Sequence, residues 1–285
     1  MDRGIIKRTG LYALVILATL YIITPYLWIV LVSFMEEREA VQQHWIPREP
    51  TLENYSLYFR INSREADIGA ATARQFPRAI VNSLIIGGSV MFINLFFGSL
   101  AAYALARVNF GGNLALMMFY LGSRSVPGVA IMIPMYLVIR SYGLLDTHFA
   151  VILAHSTFTL PFTIWILKGY FQTVPLDLER AARVDGCSRL GALFRVFLPV
   201  TTPGMIAVGI FSFISSWGEF LFALLFTSTM SSKTVTVVAS DFAQELQIDF
   251  TTIAAGGVLV VLLPIILAFI FQRFIIHGIG GAVTG

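Results

Sequence analysis

The sequence predicts an all-α membrane protein with six transmembrane helices, and three observations carry that prediction. Hydrophobic residues make up 57% of the 285 and charged residues only 12%. Mean hydropathy is +0.80, too apolar for a surface that meets water on every side. Apolar segments of about 20 residues, enough to cross ~30 Å of hydrocarbon as a helix, recur along the chain. Strands of a membrane barrel would instead read as short alternating segments. The same numbers exclude a soluble enzyme and a disordered chain, since about a quarter of an ordinary soluble chain is charged. A single cysteine, Cys187, excludes an intrachain disulfide framework. A net charge of +3 is too small and dispersed for a nucleic-acid footprint.

Taken in order, the spans fall at about 11–34, 81–105, 114–139, 149–167, 205–226 and 253–274. The first follows Arg3, Lys7 and Arg8 but is too long for a signal-peptide core, so it reads as a retained span. Pro127 and Pro134 in the third span, Pro161 in the fourth and Pro264 in the sixth predict kinks, which neighbouring helices make tolerable. A slight excess of Lys and Arg on the side of the N-terminus predicts cytoplasmic N- and C-termini. Residues 1–75 then comprise the first helix and an extracytoplasmic loop (35–75), residues 76–274 a membrane core, and residues 275–285 a cytoplasmic tail. The polar loop carries Glu36, Glu37, Glu39, Pro47, Pro50 and Asp67; a disordered spacer is the plain alternative for it.

The connection between the fourth and fifth spans carries the most information. Pro175 suits the first turn of a helix, and Asp177 and Glu179 suit its positive end. Leu178, Ala181, Ala182 and Asp185 recur at i, i+3, i+4 and i+7, forming a small, flat stripe. Gly186 then breaks the helix. Leu190, Leu193, Phe194, Phe197 and Leu198 form a second helical stripe, ended by Pro199 and Pro203. Two readings fit: an amphipathic pair lying on lipid headgroups, or a knob that a cytoplasmic partner grips.

Leu178–Pro199 resembles the coupling motif of ABC importer permeases, typically Glu-Glu-Ala-Ala-x-x-Asp-Gly-Ala, then about ten residues, then Ile-x-Leu-Pro. Asn82-Ser83-Leu84-Ile85, Ala101–Arg107, Val126-Pro127-Gly128, Ser216-Trp217-Gly218-Glu219-Phe220 and the tail Phe271–Phe274 with Gly281–Gly285 are similar to the carbohydrate branch, the maltose-permease second-subunit type. The resemblance implies a type I importer permease fold in the cell membrane. It implies a carbohydrate substrate and a coupling loop of Glu179, Arg180, Ala181, Ala182, Asp185, Gly186, Leu198 and Pro199. It further implies a second, homologous permease subunit, two cytoplasmic ATPase subunits and an extracytoplasmic solute-binding protein, the 35–80 loop and the stretch 235–249 being places for it to touch. Arg180 stands where the family has the acid of Glu-Ala-Ala, and Cys187 where it has alanine.

Nothing in the chain supplies energy or catalysis. A P-loop lysine follows glycine, and Lys7, Lys168 and Lys233 do not. ATP and magnesium are therefore expected on a partner ATPase, with no cofactor, metal or catalytic residue on this chain. His44, His148, His155 and His277 are scattered, without metal spacing. Arg124 and Glu219 are the full charges well inside predicted spans, and such groups are costly unless paired or wet. Counted from the inner ends they lie about 17 and 22 Å deep, so a pair across spans three and five is feasible. A structural ion pair and a place on the solute pathway are both open for them. Trp217 offers an aromatic face to a sugar ring on the second reading, and His155 is either an interior hydrogen-bonder or a substrate contact. An ion-coupled secondary transporter is the competing function; it calls for mid-membrane acids and a repeated half, and only Glu219 answers.

Overall fold

The computed structural model describes residues 3–42, 44–59, 70–244 and 250–283, and no strand occurs among them. The helices are α1 (Arg3–Val32), α2 (Glu37–Val41), α3 (Glu53–Phe59), α4 (Ala70–Arg107), α5 (Asn113–Ser123), α6 (Gly128–Ser141) and α7 (His148–Thr173). There follow α8 (Leu176–Val184), α9 (Arg189–Ala192), a π turn (Leu193–Phe197), α10 (Leu198–Val200), α11 (Thr202–Trp217), α12 (Leu221–Phe226), α13 (Val235–Gln244) and α14 (Phe250–Val283). Four stretches are long and apolar enough to cross a membrane: Gly10–Val32, Gln75–Arg107, His148–Thr173 and Phe250–Phe274. Two bent pairs raise the number to as many as six, Asn113–Ser123 with Gly128–Ser141 at 94° and Arg189–Val200 with Thr202–Trp217 at 85°.

Four sequence expectations need correction. The third segment is not one kinked helix but two, because Pro127 supplies no amide hydrogen and pushes Val126 away from helical geometry. Pro134, by contrast, is accommodated inside α6. The segment 205–226 is also divided: α11 ends at Trp217, and α12 begins at Leu221. Pro199 does not end its helix; it lies inside α10, and the 85° bend follows it at Thr201. The stretch 235–249, expected as a loop, is helical over Val235–Gln244, and residues 245–249 lie outside the described residues. So do 60–69 of the polar loop, with Asp67, and the last two residues of the tail.

The chain forms two compact units, Met1–Pro77 with Ala239–Leu262 and Arg78–Val238 with Leu263–Gly285. In the first, the loop after α1 is fastened by Asn54, whose side-chain amide donates to the Ser33 and Met35 carbonyls at 2.9 Å each. Tyr58 packs edge-on against Phe76 at 4.6 Å and donates to the Thr252 carbonyl at 2.7 Å. The polar loop thus holds two short helices and defined anchors, not a spacer throughout.

The second unit is built on α4, α7 and α11. Gly98 lets α4 approach α7 so closely that a Cβ there would lie 2.7 Å from Thr163 Cγ2. One apolar cluster contains Ile86, Val90, Ile139, Val151, Phe222 and Phe226. A second contains Tyr103, Leu167, Phe171, Leu193, Phe197 and Val208. Along each helix a polar layer separates them: Asn94 donates to Thr159 Oγ1 at 2.6 Å and Ser212 Oγ at 3.2 Å, and Ser212 meets Thr163 at 3.1 Å. Low-dielectric surroundings make such a layer costly unless its members satisfy one another.

At the end where α4 holds Asn82, three turns are tied together. Asn82 donates to the Met230 and Lys233 carbonyls at 3.1 and 2.9 Å, and Ser83 Oγ accepts the Val235 amide at 2.9 Å. Asp146 adopts φ +60°, a left-handed geometry that Asp tolerates better than most residues. Its carboxylate accepts the Ser228 and Thr229 amides at 2.8 and 3.0 Å, the Thr229 hydroxyl at 2.7 Å, and the Ser232 hydroxyl. Burial opposes its charge, but the donors from Ser232, Ser228 and Thr229 outweigh it and hold the carboxyl well below the usual carboxylate range. A depressed folded-state pKa stabilises fully above the unfolded value near ~4 and is lost as pH falls through the folded value. Asp146→Ala is expected to cost about 1.5–3 kcal/mol at pH 7. The gap between wild-type and variant melting temperatures narrows below about pH 4; a thermal melt series from pH 3 to 8 checks this, and a gap independent of pH contradicts it.

Candidate functional site

The segment after α7 folds into a compact element held to α4 from within. Pro175 precedes α8, and Gly186 at φ +86° turns the chain toward α9, where a side chain would be strained. The Ser188 hydroxyl caps α9 by accepting the Gly191 amide at 3.1 Å. Leu193 and Phe197 in the π turn and Ala192 before it are fully buried. Phe197 meets Tyr103 at 5.0 Å and Phe171 at 5.8 Å, both edge-on.

Glu179 points into this assembly and not away from it. It accepts the Tyr103 hydroxyl at 2.8 Å and lies 3.8 Å from Arg107 Nε, with both members of the ion pair largely buried. Arg107 also donates to the Phe171 carbonyl at 2.6 Å and to the Val174 carbonyl, and its guanidinium covers the Phe197 ring at 4.8 Å. Arg180 occupies the opposite side of α8, where it pairs with Asp177 at 3.2 Å in full exposure. The two predicted stripes therefore split. Ala182 is buried, whereas Leu178, Ala181 and Asp185 are exposed. Leu193 and Phe197 are buried while Leu190 is 57% and Phe194 48% exposed, and Val184 reaches 87%. Leu198 is half-buried and Pro199 exposed. The periodicity marks helix but does not say which half of a stripe the protein keeps, because a docking face is apolar too.

The predicted intramembrane residues do not form one site. Glu219 pairs with His155, not with Arg124: His155 Nε2 lies 2.7 Å from Glu219 Oε2 and Nδ1 lies 2.6 Å from Ser216 Oγ. The same carboxylate accepts the Phe222 and Ala223 amides at 2.9 and 3.2 Å, which starts α12 as a capping acid does. His155 is 2% exposed, so it acts as an interior hydrogen-bonder. Trp217 is 3% exposed and stacks on Phe213 at 5.9 Å, so it offers no open face to a sugar. Arg124 lies at the α5–α6 break, exposed, over the Phe162 ring at 4.8 Å. Among the described residues no group of His, Cys, Asp and Glu gathers as metal ligands would.

The family model described as "Binding-protein-dependent transport system inner membrane component" matches residues 94–280. The chain belongs to this family. It is accordingly a multi-pass inner-membrane protein and a transport subunit. It is 31% identical over 287 residues to the trehalose/maltose transport system permease protein MalG of Thermococcus litoralis, covering 100% of both chains. It is 34% identical over 268 residues to the trehalose transport system permease protein SugB of Mycobacterium tuberculosis, covering 93% of each. The fold matches a chain of a bacterial ABC transporter involved in import of the acidic polysaccharide alginate, with TM-score 0.77 at 20% identity over 96% of this chain and 98% of that one.

In this permease the residues that sequence reasoning passed over and that fasten these elements are Tyr103, Arg107 and Asp146. Arg107 sits in a motif quoted for its resemblance, but nothing in spacing couples it to an acid 72 positions away. Removing Glu179 leaves Arg107 buried without its counter-charge. Glu179→Ala is therefore expected to destabilise by about 3–5 kcal/mol, whereas Arg180→Ala, on the exposed side, stays within ~0.5 kcal/mol. Thermal unfolding of the purified variants in detergent separates the two, and equal losses would refute the inward placement of Glu179.

Proposed function

We propose that this permease is one membrane-spanning subunit of an ATP-driven, binding-protein-dependent importer that carries a carbohydrate across the cytoplasmic membrane by alternating access. A sugar, an oligosaccharide and a polyol all fall within that class. The observation that carries the reading is the α8–α10 element. It is fastened to α4 through Glu179 and Arg107, yet it presents Leu178, Val184, Leu190 and Phe194 outward. An apolar, rigidly mounted face of this kind suits a protein partner better than lipid headgroups, because its exposed alanine and Arg180–Asp177 pair are poor membrane anchors. That partner is an ATPase subunit, one of two, which holds ATP and magnesium. The coupling residues are Glu179 as the internal fastening, Arg180, Ala181 and Asp185 on the exposed side, Ala182 packed within, Gly186 at the turn, and Leu198 and Pro199 before the bend.

This assignment puts α8–α10 and both termini on the cytoplasmic side and the turns held by Asp146 outside, together with residues 44–59. A second permease subunit completes the pathway, and a solute-binding protein delivers the solute from outside. The names of the relatives, trehalose and maltose among them, support a carbohydrate. Glu219 is saturated by His155 and two backbone amides, which disfavours its use as a proton carrier in an ion-coupled transporter.

Uptake by proteoliposomes holding the assembled complex is expected to require ATP and to be abolished by vanadate, with protonophores leaving it unchanged. The purified complex is expected to contain a nucleotide-binding subunit. Vanadate-insensitive, protonophore-sensitive uptake would overturn the reading.

A further inference from the structure

The break between α5 and α6 opens a cavity of about 360 Å³ against α7, lined by Ser123, Arg124, Met135, Thr157, Phe158 and Pro161 among others. Small-molecule sites run from ~300 to 1,000 Å³, so its size suits a mono- or disaccharide. The wall is mostly apolar, with Ser123, Arg124 and Thr157 as its polar members. Among the described residues no carboxylate lies within ion-pair distance of Arg124, and Glu219, the acid nearest in expected depth, is committed to His155. The guanidinium thus brings five donors and no acceptor to a cavity wall where it covers the Phe162 ring at 4.8 Å.

Two hydroxyls on the same wall have the opposite character. Ser123 donates to the Tyr120 carbonyl at 2.8 Å and Thr157 to the Leu153 carbonyl at 2.8 Å. With their protons committed, these hydroxyls have only acceptor capacity left for a ligand. Phe158, stacked on Phe222 at 4.9 Å, is a fixed aromatic side chain on that wall. A ligand that fills this site must accept from a planar cation, donate to hydroxyl oxygens and lay an apolar face on a ring.

We propose that this subunit itself carries a saccharide subsite at the α5–α6 break, with Arg124 donating to sugar oxygens, Ser123 and Thr157 accepting from sugar hydroxyls, and Phe158 underlying the ring. The proposal rests on the importer reading and adds to it a binding station in this chain. A neutral sugar and a sugar acid both satisfy the donor set of Arg124; the acid does so with a bidentate, charge-assisted pair.

The test uses the assembled transporter in lipid nanodiscs, with Cys187→Ser as background and Val138→Cys as a reporter on the cavity wall. Maltose, trehalose and glucuronate serve as probes, glycine betaine as an osmotic control, and Leu114→Cys as a reporter remote from the cavity. Thiol labelling at position 138 is expected to slow about threefold at twice the half-saturating probe concentration, following 1 + [L]/Kd. Labelling at position 114 stays unchanged, and adding Arg124→Met abolishes the protection while leaving assembly and the melting temperature intact. Protection that survives Arg124→Met overturns the role of Arg124. A complex that imports a probe yet shows no protection by it overturns the subsite and leaves the importer reading standing. A complex that imports no carbohydrate overturns both.

Discussion

A polar group inside hydrocarbon has no water to turn to, so each must find its partner within the protein, and α4 is where this constraint organises the second unit. Three of its side chains answer it at three levels. Asn82 holds the Met230 and Lys233 carbonyls at one end, Asn94 joins Thr159 and Ser212 midway, and Arg107 gathers Glu179 with two carbonyls at the other end. Each bond reaches an element distant in sequence. The helix is thereby a post to which the turns, the α7–α11 pair and the α8 element are separately fastened. Apolar packing fills the space between these levels, but apolar packing against lipid-like surroundings has little directional preference. The polar fastenings set the register.

That division explains what the amino-acid sequence disclosed and what it withheld. The places of the long apolar stretches and the helix–Gly–helix element were legible because they follow from residue counts, Pro175 and Gly186, all local features. The break at Pro127 was legible only as a kink, since Pro134 and Pro161 carry the same signal and remain inside helices. What separates them is whether neighbours take up the freed carbonyls, a matter of tertiary contact. Glu219 and Arg124 were singled out correctly as costly charges, but depth alone matched them to each other. The actual partner of Glu219 is a histidine 64 positions earlier, brought to it by the packing of α7 against α11. Asp146 went unnoticed because an aspartate in a turn looks ordinary until Ser228, Thr229 and Ser232 converge on it.

The inward turn of Glu179 changes how the coupling element works under the importer reading. An acid aimed at the ATPase would make the knob a surface patch, able to slide or roll. Glu179 instead ties α8 to Tyr103 and Arg107, while Gly186 and the buried π turn fix α9 and α10 behind it. Force on the exposed Val184, Leu190 and Phe194 then passes to α4 and α7 as rigid-body displacement. It does not dissipate in loop motion. Arg180, paired with Asp177 in full exposure, lies outside that fastening.

Two arginines in one unit make the remaining distinction. Arg107 has a carboxylate, two carbonyls and an aromatic ring around its guanidinium, and the fold completes it. Arg124 has a ring and an open cavity. A guanidinium within a span costs several kcal/mol when nothing answers it, so a site that leaves it open is complete only when something else arrives. Lipid tails cannot answer it. The hydroxyl oxygens beside it, their protons already committed, extend the same need to a ligand that both donates and accepts. The open end of the polar inventory therefore lies at the α5–α6 break. On the subsite proposal, the constraint that fixes α4 at three levels is met at this fourth position by the solute.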